Sequence, residues 1–273
     1  MSVVPYNLER REAVAKTGLV PSTVAITRRA ALRYLRTPQL IVMATVQMAL
    51  FFLIYRYMFG GAIHAGSLPY VDYLVPGFVA TGVLFSGIGA AVATAEDLEQ
   101  GFVDRLRSLP IPRSSVLLAR AIADTAILAL SSAATVAIAF AVGFRLHGTV
   151  MQGLAAFGLV VAFGFAFEWA FVALGQFAGG AQAAQGMGMI VFPFAFISSA
   201  YVPVGSMPGW LQIFAKHQPL TSMVDAVRAL SLGAHARIEL GHPSSYYVLR
   251  AAVWTAAILV ASVPVAVAKY RRG

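Results

Sequence analysis

The chain contains no cysteine, which removes disulfide frameworks, cysteine-ligated zinc, iron–sulfur clusters and thiol nucleophiles from consideration. Charge is scarce as well. Asp, Glu, Lys and Arg make up 11% of the 273 residues, against roughly 25% in ordinary soluble domains, so the water-soluble enzyme classes are disfavoured at once. Lysine is rarer still: Lys16, Lys216 and Lys269 each follow an alanine, and no G-x-x-x-x-G-K-[ST] phosphate loop can be written through any of them. The sequence H-E-x-x-H is missing. His235, Glu239 and His242 have a loosely ligand-like spacing, but Gly241 and Pro243 interrupt the helix that would align them on a metal. Ser86 and Gly87 lack the G-x-S-G setting of an intramembrane serine protease.

What the chain has in abundance is apolar surface, with 59% hydrophobic residues. A bilayer core of about 30 Å needs about 20 helical residues to cross, and six stretches meet that length, near 39–59, 73–95, 122–143, 151–174, 183–203 and 247–268. Helices satisfy their own backbone groups in lipid, and open strands do not. The fold class expected is therefore an all-α polytopic membrane protein with six transmembrane helices. Its domains are an N-terminal cytoplasmic segment (1–38), a single transmembrane domain (39–268) and a short cytoplasmic tail (269–273). The first span reads as an uncleaved anchor, because its apolar run passes through Arg56 and no A-x-A site follows.

The formal charge of +9 raises nucleic acid as a partner until the cations are placed along the chain. With both termini cytoplasmic, the inner segments hold fourteen Lys and Arg, and the outer side with its span ends holds six: Arg56, Arg145, Lys216, Arg228, Arg237 and Arg250. The positive-inside rule selects this orientation and leaves nucleic acid without a role.

Three segments outside the spans carry further information. From Pro21 to Pro38, Arg28, Arg29, Arg33 and Arg36 fall within one arc of a helix whose other arc is mostly apolar, the pattern of an amphipathic helix lying in the headgroup region. In the cytoplasmic loop 96–115, Leu98, Phe102, Leu106 and Leu109 recur at helical spacing while Glu96, Asp97, Glu99, Asp104, Arg105 and Arg107 take the other face; Pro110 and Pro112 end the pattern. This predicts a short helix that docks on something. The outer segment 204–246 predicts two short interfacial or re-entrant helices, one around Pro208, Trp210 and Phe214 and a second after Pro219. The second is expected to be capped by Thr221, to present Met223, Val224, Val227 and Leu230 on one face, and to end at Gly233.

Within the spans two acids stand out. Asp124 is one turn from Arg120, which predicts a local pair. Glu168 lies inside the fourth span, where a charged carboxylate costs roughly 2.5–3.5 kcal/mol, so it must be protonated, paired or facing a polar cavity. Gly175 and Gly179 form G-x-x-x-G, the spacing at which helices approach closely. Phe192, Phe194 and Phe196 surround Pro193 in the fifth span and, with Phe85 and Glu168, make a candidate lining for a translocation path.

The two motif regions together resemble the type-two ABC exporter permeases, in particular their daunorubicin-resistance-like branch of drug and lipid exporters. The loop contributes Asp97, Glu99, Gly101, Asp104, Arg105, Arg107, Leu109, Pro110 and Arg113. The outer segment contributes Pro203, Met207, Pro208, Trp210, Leu211, Phe214, Pro219, Thr221, Ala226 and Arg228. Glu96 and Asp97 stand where the family pattern has an Asp–Arg pair. The resemblance implies a bacterial cell-membrane permease without a nucleotide site of its own, working as a homodimer or heterodimer with two separately encoded ATPases that bind ATP and magnesium. It implies that loop 96–110, Phe102 included, is a coupling helix seated on the ATPase, that the basic stretch before the first span is a connecting helix, and that the outer pair is re-entrant. The substrate would be an amphiphilic drug, polyketide or lipid. Two other readings stand beside it: export of a polysaccharide or teichoic-acid precursor, and an intramembrane enzyme using Glu168.

Overall fold

The computed structural model describes residues 20, 21, 23, 24, 27, 28, 38–61, 63, 68–101, 113–235, 238 and 240–272. Every regular element among them is helical. Helix α1 (Pro38–Ile54) runs on through a π-helical turn, Tyr55–Phe59. It is followed by α2 (Tyr70–Glu99), α3 (Arg113–Ala141), α4 (Val150–Phe177), α5 (Ala181–Gly188), α6 (Val191–Phe196), α7 (Gly209–His217), α8 (Pro219–Leu232) and α9 (Ser244–Arg272). Four of these, α2, α3, α4 and α9, are long and apolar enough to cross a membrane.

Local chemistry sets several of the helix ends. Thr149 and Gln152 close a capping box at the start of α4: the Gln152 amide N–H donates to Thr149 Oγ1 (3.2 Å), and the Thr149 N–H donates to Gln152 Oε1 (2.8 Å). Pro219 occupies the first turn of α8, where its missing N–H costs nothing. Gly233 ends α8 with φ +58°, a conformation a β-carbon disfavours. Here a β-carbon would also sit 2.7 Å from Gly148 Cα.

The centre of the bundle is the α2–α4 pair. Gly175 brings the two helices so close that a β-carbon there would lie 2.3 Å from the Ala91 carbonyl oxygen and 2.9 Å from Thr94 Cβ. Helices α3, α8 and α9 pack around this pair, and α5 lies against α2. The buried core is built from Leu74, Phe78 and Val83 of α2, Val160, Phe163 and Phe171 of α4, and Leu220, Met223 and Val224 of α8. On the outside, α9 exposes Leu249, Val253 and Val260, α4 exposes Leu154, and α3 exposes Leu130 and Phe140. An outward face this apolar suits lipid and not water.

Four local expectations are corrected. The stretch 183–203 is not one continuous helix but two short ones, α5 and α6, followed by an irregular run to residue 203. The reason is Pro193. It has no N–H to give the Met189 carbonyl, and its ring crowds that carbonyl; the α5–α6 junction falls there, with Phe192 N–H bonded to Met189 O in a tighter turn. Secondly, α8 begins at Pro219 with Gln218 as its N-cap, so Thr221 lies inside the first turn, its hydroxyl accepting from the Ser199 N–H (3.2 Å). Thirdly, α8 has no single buried face. Residues Leu220–Val224 and Ala226–Leu232 are all buried, because α2, α4 and α9 enclose it from several directions. Fourthly, only half of the G-x-x-x-G motif is used, since a β-carbon on Gly179 would meet nothing within 4 Å.

Candidate functional site

The irregular run after α6 poses a physical problem. Its carbonyls have lost their helical partners, and an unpaired backbone group away from water costs several kcal/mol. Side chains from α2 and α8 resolve it. Arg228, 2% exposed, donates through Nη2 to the carbonyls of Ser199 (2.8 Å) and Tyr73 (3.1 Å). Its Nη1 pairs with Asp225 Oδ1 at 3.2 Å, and its guanidinium lies 3.8 Å from the centroid of the Tyr73 ring. The Tyr73 hydroxyl donates to the same Ser199 carbonyl (2.9 Å), the Ser199 hydroxyl donates to Asp225 (2.7 Å), and Gln218 Nε2 donates to the Ile197 carbonyl. Tyr201 completes the arrangement. Its carbonyl accepts from the Tyr70 hydroxyl (3.4 Å), its own hydroxyl meets Thr81 Oγ1 (2.9 Å), and its ring stacks on Tyr55 at 4.8 Å. Burial lifts the Asp225 carboxyl above its ordinary range, while Arg228, the Ser199 hydroxyl and Arg250 pull it back down.

The sequence reading counted Arg228 among the cations of the outer side, in the re-entrant segment, and gave it no buried partners. The structure buries it in the core, with its charge met by one carboxylate and two carbonyls. Tyr73, Asp225 and Ser199, which sequence reasoning did not single out, are its partners. The spacing of Asp225 and Arg228 at i, i+3 was the available signal. Nearby, Asp72 is buried at the start of α2 and accepts from the Arg145 backbone N–H (3.0 Å), with His147 Nδ1 3.9 Å from its other oxygen. That contact fastens the α3–α4 connection to the same end of the bundle.

A second polar group lies at the opposite end. Arg120 of α3 bonds Asp97 near the end of α2, and its Nε is 3.5 Å from Asp124. The local pair expected with Asp124 is present, and the link to Asp97 ties the two helices that flank loop 100–112. Glu168 of α4 is 2% exposed, with Asp124 and Arg120 within electrostatic reach, and its Oε2 has no hydrogen-bond partner.

The aromatic residues named from sequence are brought partly together. Phe85 and Phe192 lie with ring centroids 4.7 Å apart, and Phe194 is 5.6 Å from Phe214 of α7. Phe192, Phe194 and Phe196 are all partly exposed. Glu168 is not among them; it lies near Asp124 and Arg120 of α3. Beside Phe194 is a cavity of about 250 Å³ between α4, the α5–α6 junction and the start of α8. In the outer segment, Pro208 precedes α7, Trp210 is 74% exposed, and Pro219 opens α8.

The remaining expectations fall partly outside the described residues. Of the coupling set, Asp97 and Glu99 lie in the last turns of α2, Gly101 follows with φ +64°, and Arg113 begins α3. Phe102, Asp104, Arg105, Arg107 and Leu109 lie outside them, as do Arg29, Arg33 and Arg36; Arg28 is helical and exposed. Among the described residues no group of three His, Cys, Asp or Glu could hold a metal ion.

Comparison with known proteins bears on this arrangement. The chain is 27% identical to the daunorubicin resistance ABC transporter permease protein DrrB1 of Streptomyces coeruleorubidus over 235 residues, 86% of this chain and 83% of that one. It is 25% identical over 274 residues to the probable doxorubicin resistance ABC transporter permease protein DrrC of Mycobacterium tuberculosis, covering 100% of this chain and 96% of that one. The family profile described as ABC-2 type transporter matches residues 21–232, a range that takes in α1 through α8 and with them the Arg228 cluster, the Arg120 cluster and the cavity. The chain belongs to the ABC-2 type transporter family.

Proposed function

We propose that this chain is the permease subunit of an ATP-driven exporter that moves an amphiphilic drug, polyketide or lipid out of a bacterial cell, with hydrolysis carried out by a separate ATPase. Membership of the ABC-2 family carries the reading, and the similarity to two drug-resistance permeases supports the substrate class. In this reading the chain crosses the cell membrane six times with both termini cytoplasmic. The broken α5–α6 segment makes one crossing, and α7 and α8 lie re-entrant at the outer face. Two permeases, identical or not, work with two ATPases, which bind ATP and magnesium.

The geometry supports a mechanical route. Loop 100–112 joins α2 to α3, and the Asp97–Arg120–Asp124 contacts hold its two flanks together, so a push on the loop moves both helices as one body. Helix α2 is 30 residues long, about 45 Å at about 1.5 Å per residue. Its far end, through Tyr70, Tyr73 and Thr81, holds the irregular run that follows α6. Closure of the ATPases is thereby passed along α2 to the aromatic surface of α6. ATP shifts the equilibrium between inward and outward states only because the closed ATPase dimer fits one of them better.

The charge-reversing change Asp104→Arg is expected to abolish export while leaving membrane insertion and the amount of permease unchanged, because in this reading it reverses a charge in the loop that meets the partner ATPase. Substrate efflux from cells or vesicles measures it. Full export in this variant, or in cells lacking a partner ATPase, would refute the reading.

A further inference from the structure

The cavity beside Phe194 lies deep in the bundle. Leu84, one of its wall residues, is at the midpoint of α2, about 20 Å from either end at about 1.5 Å per residue. In a helix that crosses a hydrocarbon core of about 30 Å, that midpoint lies among the ends of lipid chains and far from headgroups and water. Leu84, Phe167, Phe171, Ile190 and Phe194 line the space with carbon. Gln218 is the one wall residue with a polar side chain, and it offers the space nothing: its Nε2 is committed to the Ile197 carbonyl and its Oε1 is buried. Of the wall residues only Ile190 and Phe194 are exposed, at 62% and 40%. The mouth is therefore at the α5–α6 break, and its apolar rim suits lipid. Broken helices in membrane proteins are tolerated where they line a cavity.

We propose that this cavity takes the end of a membrane lipid's acyl chain, which enters past Ile190 and Phe194 and reaches Leu84 and Phe171. Size supports a chain end: an apolar cavity of about 150 Å³ takes up the carbons of benzene, and by that measure about 250 Å³ holds roughly ten carbons. The depth rules out a headgroup. The carbon lining rules out a polar chain end, since a hydroxyl or amide carried inside would lose its water partners and gain none. Left empty, the walls would face a void and forfeit dispersion contacts, and lipid chains are the most abundant apolar groups at the mouth. The proposal rests on α2 and α4 crossing the bilayer and not on the export reading, so it is tested on the permease alone without nucleotide.

The experiment places the full-length permease in nanodiscs of phosphatidylcholine that carries a photoactivated diazirine near the methyl end of one chain, and maps the labelled residues by peptide mass spectrometry. Label is expected on Leu84 and Phe171, which are 3% and 4% exposed and reached only from within the cavity, as well as on the exposed Val253 and Val260 of α9. The same lipid with its diazirine beside the glycerol ester should label neither Leu84 nor Phe171. Ala170→Leu, which fills the cavity from α4, should abolish the label on Leu84 and Phe171 and leave that on α9 unchanged. Ala170→Val takes its place if the leucine variant does not elute as the parent on gel filtration. Label on α9 without label on Leu84 and Phe171 in the unaltered protein overturns the proposal, since lipid then stays outside. Equal labelling of Leu84 by the two lipids overturns the depth. Unchanged label on Leu84 in a filled variant that elutes as the parent overturns the location.

Discussion

Arg228→Met should cost about 3–5 kcal/mol of stability and sharply reduce the folded permease recovered in mild detergent. The methionine keeps much of the apolar stem but removes every donor. Asp225, mostly enclosed, then loses its cation, and the Ser199 carbonyl keeps only the Tyr73 hydroxyl. Arg228→Lys should fall between the two, since an ammonium cannot reproduce the flat stack on Tyr73 or the fork that reaches two carbonyls at once. The double variant Arg228→Met/Asp225→Leu should be more stable than Arg228→Met alone, because it removes the stranded carboxyl together with its partner. Thermal unfolding followed by gel filtration reads all three. An Arg228→Met protein as stable as the parent would mean that the residues after α6 are held by something other than this cluster.

The second large effect is expected at the α2–α4 seam. Even Gly175→Ala should destabilise by about 1–3 kcal/mol. The added carbon would lie 2.3 Å from the Ala91 carbonyl oxygen, a backbone atom that yields only if the helices part. Gly175→Val should go further. The matched control is Gly179→Ala, in the other half of the same motif, where a β-carbon meets nothing within 4 Å; it should leave the melting temperature within about a degree, as surface changes generally do. Equal effects at the two positions would show that the seam is looser than described. Gly77 offers a further check, because a β-carbon there would sit 2.0 Å from the Ala200 carbonyl oxygen and displace the run that Arg228 holds.

Much of the architecture could be read from pattern alone. The long apolar runs located α2, α3, α4 and α9 because a membrane span is set by length and hydrophobicity, and both are properties of consecutive residues. The pair of short helices after Pro203 was also visible, from Pro208, Pro219 and Gly233, since turn and cap chemistry is local. The Arg120–Asp124 pair followed from helical spacing. The break between α5 and α6 was only half visible: a proline such as Pro193 within a span allows a kink, but a kinked span and two separate helices differ in whether neighbours can satisfy the freed carbonyls. Those neighbours, Arg228, Tyr73, Tyr70 and Gln218, come from α2 and from the α7–α8 region.

The burial of Arg228 has the same origin. Counting cations along a chain assigns each to a side of the membrane, and an arginine in a short amphipathic segment is counted with water. Its burial depended on α8 being enclosed by α2, α4 and α9, and no window of sequence contains those contacts. The sequence by itself thus determined that this is a helical membrane protein, where its long apolar helices lie and what family pattern it carries, because hydrophobic length and caps act over neighbouring residues. The tertiary structure alone decided which polar groups are buried together, that only one glycine of the G-x-x-x-G pair meets another helix, and that an apolar cavity lies beside Phe194. Each of these depends on distances between residues far apart in the chain, and only packing sets those distances.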